Sequence, residues 1–326
     1  MLVIKNTITN AFFNLASEEY FIDHFDEPVI LLWRNDKTVV VGKNQNSVEE
    51  VNMEYVREND ITVVRRLTGG GAVFHDLGNL NFSLIQKHTP SLFNDYAHFT
   101  RPVCAYLKNL GLDVVLSGRN DLLIEGMKCS GNAQTYRKGR MMHHGTLLFQ
   151  SDVADISGSL RPNPLKIESK SIKSVRSRIT NIASHLKKPM TVDAFYDGLY
   201  QFFLKNMDDA QEYVFTDNDI QSIQALADEK YSTWNWNYGS SPAYTLRKEQ
   251  KFDFGIVDLR LTIEKGVIKA VRLFGDFFGG NEAEVLEQSL MGIPYEKNSC
   301  EKALDGLSVD DYISGMSREQ FLSLLL

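Results

Sequence analysis

Two periodicities alternate along the chain, one near 3.6 residues and one near 2, and together they predict most of its elements. Residues 11–25 read as an amphipathic helix, with Phe12, Leu15, Ala16 and Glu19 spaced for one face. VILLWR and TVVVG are short strand-like runs, and a polar helix is predicted over about Val48–Arg57. ITVVRRL reads as a strand, TGGG as a tight turn, and AVFHD and LNFSLIQ as further strands. A helix is predicted from Phe93 to Asn109, stopped by Gly111. LDVVLSG and DLLIEG resume the sheet. MKCSGNAQTYR and RMMHHGTLLF then form a hairpin around Lys138-Gly139, because a two-residue turn with Gly second suits a tight antiparallel connection. A mixed segment follows, then a helix over Val192–Asn206, then a crowd of aromatic and turn residues across 231–246. From Phe252 a new alternation begins, with Lys265-Gly266 as its hairpin turn and two or three short helices after it. The predicted fold is α+β: a large mixed, mostly antiparallel sheet with flanking helices over residues 1–246, and a small α+β C-terminal domain over 247–326.

Composition narrows the class. The chain has 326 residues, about two domains' worth, and is 43% hydrophobic and 24% charged, as a folded globular protein should be. Its longest apolar runs fall far short of the ~18 residues of a membrane span, and MLVIKNTITN does not read as a secretory signal. Cys104, Cys129 and Cys300 are odd in number and lack CxxC spacing. That argues against a disulfide framework or a zinc knuckle, and the expected location is the cytoplasm. The formal net charge of −7 gives no case for nucleic acid. The charge is uneven: residues 161–188 hold eight Lys and Arg against one acid, whereas 208–229 hold seven acids and no base. The basic stretch suits either a solvated face or a local anionic partner.

The densest candidate chemistry is RRLTGGGAVFHDLGNLNFS, residues 65–83. Consecutive glycines cost backbone entropy and are useful where a ligand must approach main-chain N–H groups. With Arg65 and Arg66 beside them they make an anion cradle of the kind phosphates use; a plain tight turn is the simpler reading. Neither a Walker loop nor a Rossmann fingerprint is present. In GRNDLLIEGMKCSGNAQ, strict strand alternation puts Lys128, Ser130 and Asn132 on one face and Cys129 on the other, with Gly131 leaving room for a ligand. Asn120-Asp121 offers a turn or a magnesium-directed carboxylate. His143 and His144 face opposite ways, so they make a poor joint metal site. They read as one core and one exposed histidine, or His144 lines a cleft near the Lys128 strand.

These segments, with HHGTLLF and SVRSRITNI, occur in the same order in bacterial lipoate–protein ligases of the A type, which the whole chain resembles. The resemblance implies two steps: lipoate and ATP, with Mg²⁺, give lipoyl-AMP and pyrophosphate, and a lysine of a lipoyl carrier domain then displaces AMP. It implies Arg66, Gly71, Ala72, Val73 and Phe74 on the nucleotide side, and Lys128 as the catalytic lysine that contacts both the lipoyl carbonyl and the phosphate. Thr68, Asp121, Ala133 and His144 fall at positions lining the lipoyl pocket; a β-lined tunnel including Val73 and Phe74 suits the apolar tail. No resident metal site is implied. Expected partners are lipoyl domains of 2-oxoacid dehydrogenase E2 subunits or the glycine cleavage H protein, met by a monomer without nucleic acid or membrane. Lys173, Arg176 and Arg178 would order over the adenylate or meet an acidic carrier.

Three readings compete. An ATP-independent octanoyl or lipoyl acyltransferase of the same superfamily would need an activated cysteine or a lysine-assisted transfer, yet Cys129 is predicted on the wrong face. A non-catalytic carrier-binding member would lack the lysine or the glycines, and both are present. A biotin-type ligase would carry a different Gly/Arg-rich loop.

Overall fold

The computed structural model describes residues 1–118, 120–160, 179–238, 246–264 and 266–326. The basic residues Lys173, Arg176 and Arg178, the turn residue Lys265 and residues 239–245 of the 231–246 crowd lie outside them. Strands β1 (Leu2–Lys5), β2 (Val29–Trp33), β6 (Asn79–Lys87), β7 (Val114–Ser117), β8 (Asp121–Ile124), β9 (Met127–Arg137), β10 (Arg140–Leu148) and β11 (Gln211–Glu212) form one eight-stranded sheet. Its order is β11-β1-β2-β6-β10-β9-β8-β7. Only the β11-β1-β2 pairings are parallel; every other neighbour runs antiparallel. A second sheet, β4-β3-β5, joins β3 (Thr38–Val41), β4 (Thr62–Arg65) and β5 (Val73–His75).

Both faces of the large sheet are covered, which explains why VILLW is an unbroken apolar run rather than an alternation. Ile30 and Leu32 pack on one side with Phe99, Val103 and Leu107 of α4 (Tyr96–Asn109) and with Phe195, Leu199 and Phe203 of α6 (Val192–Asn206). Val29, Leu31 and Trp33 pack on the other with α1 (Ala11–His24). α1 is buried nearly all round, so its predicted single apolar face is not what seats it; even Asn14, Glu18 and Glu19 are inside. Asn10 caps its start by accepting the Phe13 N–H. Lys138 and Gly139 both take positive φ, 48° and 76°, the two-residue turn that the hairpin demands.

The C-terminal unit has its own core. β12 (Leu246–Phe252), β13 (Gly255–Glu264) and β14 (Val267–Gly275) form a meander backed by α9 (Ala283–Ser289), α10 (Lys297–Ala303), α11 (Val309–Tyr312) and α12 (Arg318–Leu325). Four differences from the sequence reading have simple causes. The helix predicted over Val48–Arg57 is two, α2 (Ser47–Glu50) and α3 (Met53–Glu58), because Asn52 caps the second and Val51 bridges to Leu160. β12 was not predicted, since LRKEQKF is a charged edge strand without alternation. α7 (Asp217–Leu226), inside the acidic stretch, is started by a Thr216–Asp219 capping box. Four short helices, not two or three, close the chain.

Candidate functional site

A cavity of about 140 Å³ lies between the large sheet and the β4-β3-β5 layer. It crosses the sheet from Trp33 on β2, past Asn81 on β6 and His144 on β10, to Gly131 and Lys128 on β9. Trp33, Asn81 and His75 form an enclosed end, at 2%, 1% and 3% exposure. Lys128 stands at the open end, its side chain about one-third exposed.

A bulge decides which residues share the Lys128 face. The β8–β9 register shifts between Leu122 and Leu123: Leu122 faces Ser130, but Leu123 faces Lys128. Cys129 is the extra residue, so the strand's parity flips. This corrects the expected grouping of Lys128 with Ser130 and Asn132. Lys128 instead shares its face with Gly131 and Ala133, opposite Asp121 and His144 respectively. Lys128 Nζ is 2.8 Å from Asp121 Oδ1. A Cβ on Gly131 would stand 3.0 Å from that ammonium, so the glycine makes room for the lysine itself rather than directly for a ligand. Asn132 still borders the cavity, but its side chain turns to the core, where its Oδ1 is 3.1 Å from His143 Nε2. His143 stacks on Phe99 with centroids 4.9 Å apart and is wholly buried, so it is a structural ring. His144 is also buried, against the expectation of one exposed histidine. The Lys128 carbonyl accepts the Thr180 N–H, tying the chain after the basic segment to the lysine.

The two arginines part company. Arg65 donates to the carbonyls of Gly42, Lys43, Gln45, Trp236 and Asn237 and to Ser47 Oγ, so it is a structural hub. Arg66 faces the cavity. It donates to Thr68 Oγ1 at 2.8 Å, to Val40 O, and to Gly69 O and Gly71 O at 2.6 and 2.9 Å, so its guanidinium shapes the triglycine turn from inside. Burial pulls its pKa down to about 10, with Glu18 working against that.

The acid and the arginine are joined by a buried relay. Thr68 Oγ1 accepts from Arg66 and meets His144 Nε2 at 2.8 Å; His144 Nδ1 meets Glu18 Oε1, also at 2.8 Å. These partners assign the proton to Nδ1 of His144, with Thr68 donating to Nε2. Glu18 also accepts from Ser83 Oγ, which accepts from Trp33 Nε1. Thr68 thus stands behind the wall rather than lining it. Gly71, Ala72 and Val73 line the cavity with Arg66, Lys128, Ala133 and His144, and Asp121 reaches it through its pair with Lys128. Phe74 does not line a tunnel with Val73, because β5 alternates: Val73 and His75 face the cavity, while the Phe74 ring joins a core with Val39 and Ile156.

Sequence reasoning missed Glu18, Trp33 and Phe278 as site residues, while His75 and Asn81 lay inside the glycine–arginine stretch without an assigned role. Adjacent acids in an apolar helix, and asparagines alternating on β6, were the available signals for Glu18 and Asn81; Phe278 carries none. It arrives from the C-terminal unit. Gly70, at φ 91°, donates its N–H to Phe277 O at 3.3 Å, and a Cβ there would stand 2.9 Å from the Phe278 ring. Gly275 N–H donates to Asn44 O at 2.7 Å, and Lys43 pairs with Glu282. One N–H of the anticipated anion cradle is therefore held by the C-terminal unit. Cys129 is fully buried and donates to Leu122 O; burial pushes its thiol up to about 12, so it is no nucleophile.

Comparison with known proteins gives this geometry its family. The lipoyl protein ligase A/B catalytic domain matches residues 10–204, and the bacterial lipoate protein ligase C-terminus matches 241–325. Lipoate-protein ligase LplJ of Bacillus subtilis is 42% identical over 100% of both chains. Lipoate–protein ligase 1 of Staphylococcus aureus is 39% identical over 99% of both. Among solved structures, P. falciparum LipL1 in complex with lipoate superimposes with a TM-score of 0.79 at 25% identity, covering 99% of this chain and 97% of that one. A bi-partite lipoate protein ligase from Thermoplasma acidophilum, described with its E2 lipoyl domain, gives 0.65 at 30% identity, covering 75% and 98%. A lipoate-protein ligase A bound with ATP gives 0.63 at 28%, covering 73% and 99%. The chain belongs to the lipoate–protein ligase family. It is an enzyme, an ATP-dependent ligase of lipoate.

Proposed function

We propose that the cavity joins lipoate to AMP and then hands the lipoyl group to a carrier lysine, with Lys128 as the catalytic cation. The observation that carries this is the placement of the Lys128 ammonium over Gly131, at the open end of a pocket whose other end is enclosed. The apolar tail takes the enclosed end and the reacting carboxylate the lysine end. The lipoate carboxylate oxygen bonds to the α-phosphorus of ATP, and pyrophosphate leaves. The amine of the carrier lysine then bonds to the acyl carbon; AMP leaves and the amine gives up a proton. Both steps build charge on oxygens at one point. An ammonium on a flexible stem can follow that charge from phosphate to acyl oxygen. Gly71, Ala72, Val73 and the backbone of Phe74 would carry the nucleotide beside Arg66; Thr68, Asp121, Ala133 and His144 would shape the lipoyl side.

Mg²⁺ fits a site of this kind. Among the described residues no cluster of three metal-ligating side chains occurs, and Mg²⁺ characteristically takes one or two carboxylates plus substrate phosphates. Asp121 is the carboxylate at the rim that would hold it, and the cation's positive charge would offset repulsion between the phosphates and the incoming carboxylate.

We take the carrier to be a lipoyl domain of a 2-oxoacid dehydrogenase E2 subunit or a glycine cleavage H protein. The enzyme would act as a monomer in the cytoplasm, since the pocket is assembled within one chain and no described helix is long and apolar enough to cross a membrane. The domains divide at Leu246, where β12 and the separate C-terminal core begin.

The test is pyrophosphate release from ATP, Mg²⁺ and lipoate with no acceptor. Lys128→Ala should lose ~3–4 kcal/mol of transition-state stabilisation. Its pair with Asp121 is one-third exposed and contributes little to folding, so the unfolding midpoint should hold. Normal adenylation by that variant would discard the assignment.

A further inference from the structure

At the enclosed end of the cavity, one buried donor has no partner. His75 is 3% exposed and lines the pocket, yet its Nε2 has no hydrogen-bond partner among the described residues. The surrounding amides fix which nitrogen carries the proton. Asn35 Oδ1 accepts from Asn14, so Asn35 Nδ2 is what faces His75 Nδ1, at 3.2 Å. Asn81 Oδ1 accepts from Asn79, so its Nδ2 faces the same nitrogen at 3.4 Å. With two donors pointed at it, Nδ1 must accept, and Nε2 must carry the hydrogen. Burial, with Arg66 and His144 nearby, drives the ring's pKa down to about 3, so it stays neutral and keeps that arrangement.

We infer that the His75 Nε2–H reads the far end of the acyl chain, donating to a dithiolane sulfur of lipoate, and that this sets the preference for lipoate over an unsubstituted eight-carbon acid. The inference deepens the proposed function and rests on the acyl tail taking the enclosed end. The reach is right. From Lys128 on β9 to Trp33 on β2 is three strand spacings, ~14 Å. Lipoate's carboxylate beside the lysine is followed by seven carbons, an extended span of about 9 Å at ~1.5 Å per bond, and the inward reach of the Lys128 and Trp33 side chains covers the rest, so the ring sulfurs lie at the end held by Trp33, His75 and Asn81. Sulfur is a weak acceptor, but octanoate offers none there, and a buried donor left unpaired is costly. Sites built around a polar contact reject the analogue that lacks it more firmly than hydrophobic fit can.

The experiment measures kcat/KM for pyrophosphate release with lipoate and with octanoate, on the natural enzyme, His75→Phe and His75→Gln. Phenylalanine keeps the ring and removes the donor; glutamine restores one. The natural enzyme should favour lipoate, and His75→Phe should lose about 3- to 30-fold more activity with lipoate than with octanoate. His75→Gln should recover part of that ratio. Should His75→Phe fail to fold, ¹⁵N-histidine spectra of the natural protein still decide: the Nε2–H resonance of His75 should move with lipoate and not with octanoate. Equal losses with both acids, or equal spectral shifts, would overturn the inference and leave the ligase assignment standing. If neither acid releases pyrophosphate with the natural enzyme, the assignment itself fails.

Discussion

Phe278 gives the most direct handle on the contact between the two units. Its ring sits against Gly70 and 6.4 Å from Tyr96 by centroid, only 5% exposed, yet it belongs to neither unit's main core; its neighbour Phe277 is the one that packs inside the C-terminal unit. Phe278→Ala should therefore weaken docking while leaving both cores whole. Fully burying such a ring is worth about 2–3 kcal/mol. Other contacts include the backbone bonds Gly70–Phe277 and Gly275–Asn44, the partly exposed Lys43–Glu282 pair and Gly280 beside the Phe93 ring, the polar ones each worth ~1 kcal/mol or less. Losing the ring should shift the docked–undocked balance about 30- to 150-fold. Hydrogen exchange at Gly70 reports this directly, because its N–H is covered by Phe277 O. Exchange there should accelerate by that factor, and the KM for ATP should fall as the N–H becomes available to a phosphate. Unchanged exchange with unchanged ATP KM would show that the ring does not hold the units together. A collapse of the whole unfolding transition would show that it is core after all.

Two further outcomes follow from buried charge. Glu18→Gln leaves the Arg66 guanidinium without its balancing carboxylate and should cost about 2–3 kcal/mol in denaturant unfolding, with a drop in adenylation as the triglycine turn loosens; no change in either would refute the relay. Asp23, Asp155 and Asp219 all sit below the ordinary 3.8: burial alone would raise each, but Arg137 and Lys138, Lys37 and Tyr55, and Tyr213, Thr216 and Tyr20 respectively outweigh it. Folded values below unfolded ones give stability that is present above about pH 4 and lost as pH falls through the folded values. The urea midpoint should therefore decline below about pH 4, and less steeply in Asp219→Asn; a flat profile would contradict the assigned bonds.

How much of this was legible in the sequence differs from element to element. Local rules sufficed for the Lys138-Gly139 hairpin, for the strands buried on both faces, and for the helices ending at Asn109 and Asn206. They also singled out the glycine–arginine stretch and Lys128, because three glycines and a lysine among small polar residues are anomalous wherever they fall. The ordered motifs were enough to name the family. What alternation could not supply was the face on which Lys128 stands. A single extra residue at Cys129 reverses every side chain beyond it, and the bulge exists only in the register against β8. The rest of the pocket was out of reach for a similar reason. Glu18 and Trp33 are ordinary in their own segments, and His75 and Asn81 sit in the singled-out stretch with nothing local to say what they face. They become a site only when α1, β2, β5 and β6 close on one another, because a buried polar group takes its meaning from partners far away in sequence. Phe278 lies some two hundred residues from Gly70, and no local pattern encodes an aromatic ring that a second folding unit brings to a glycine's N–H.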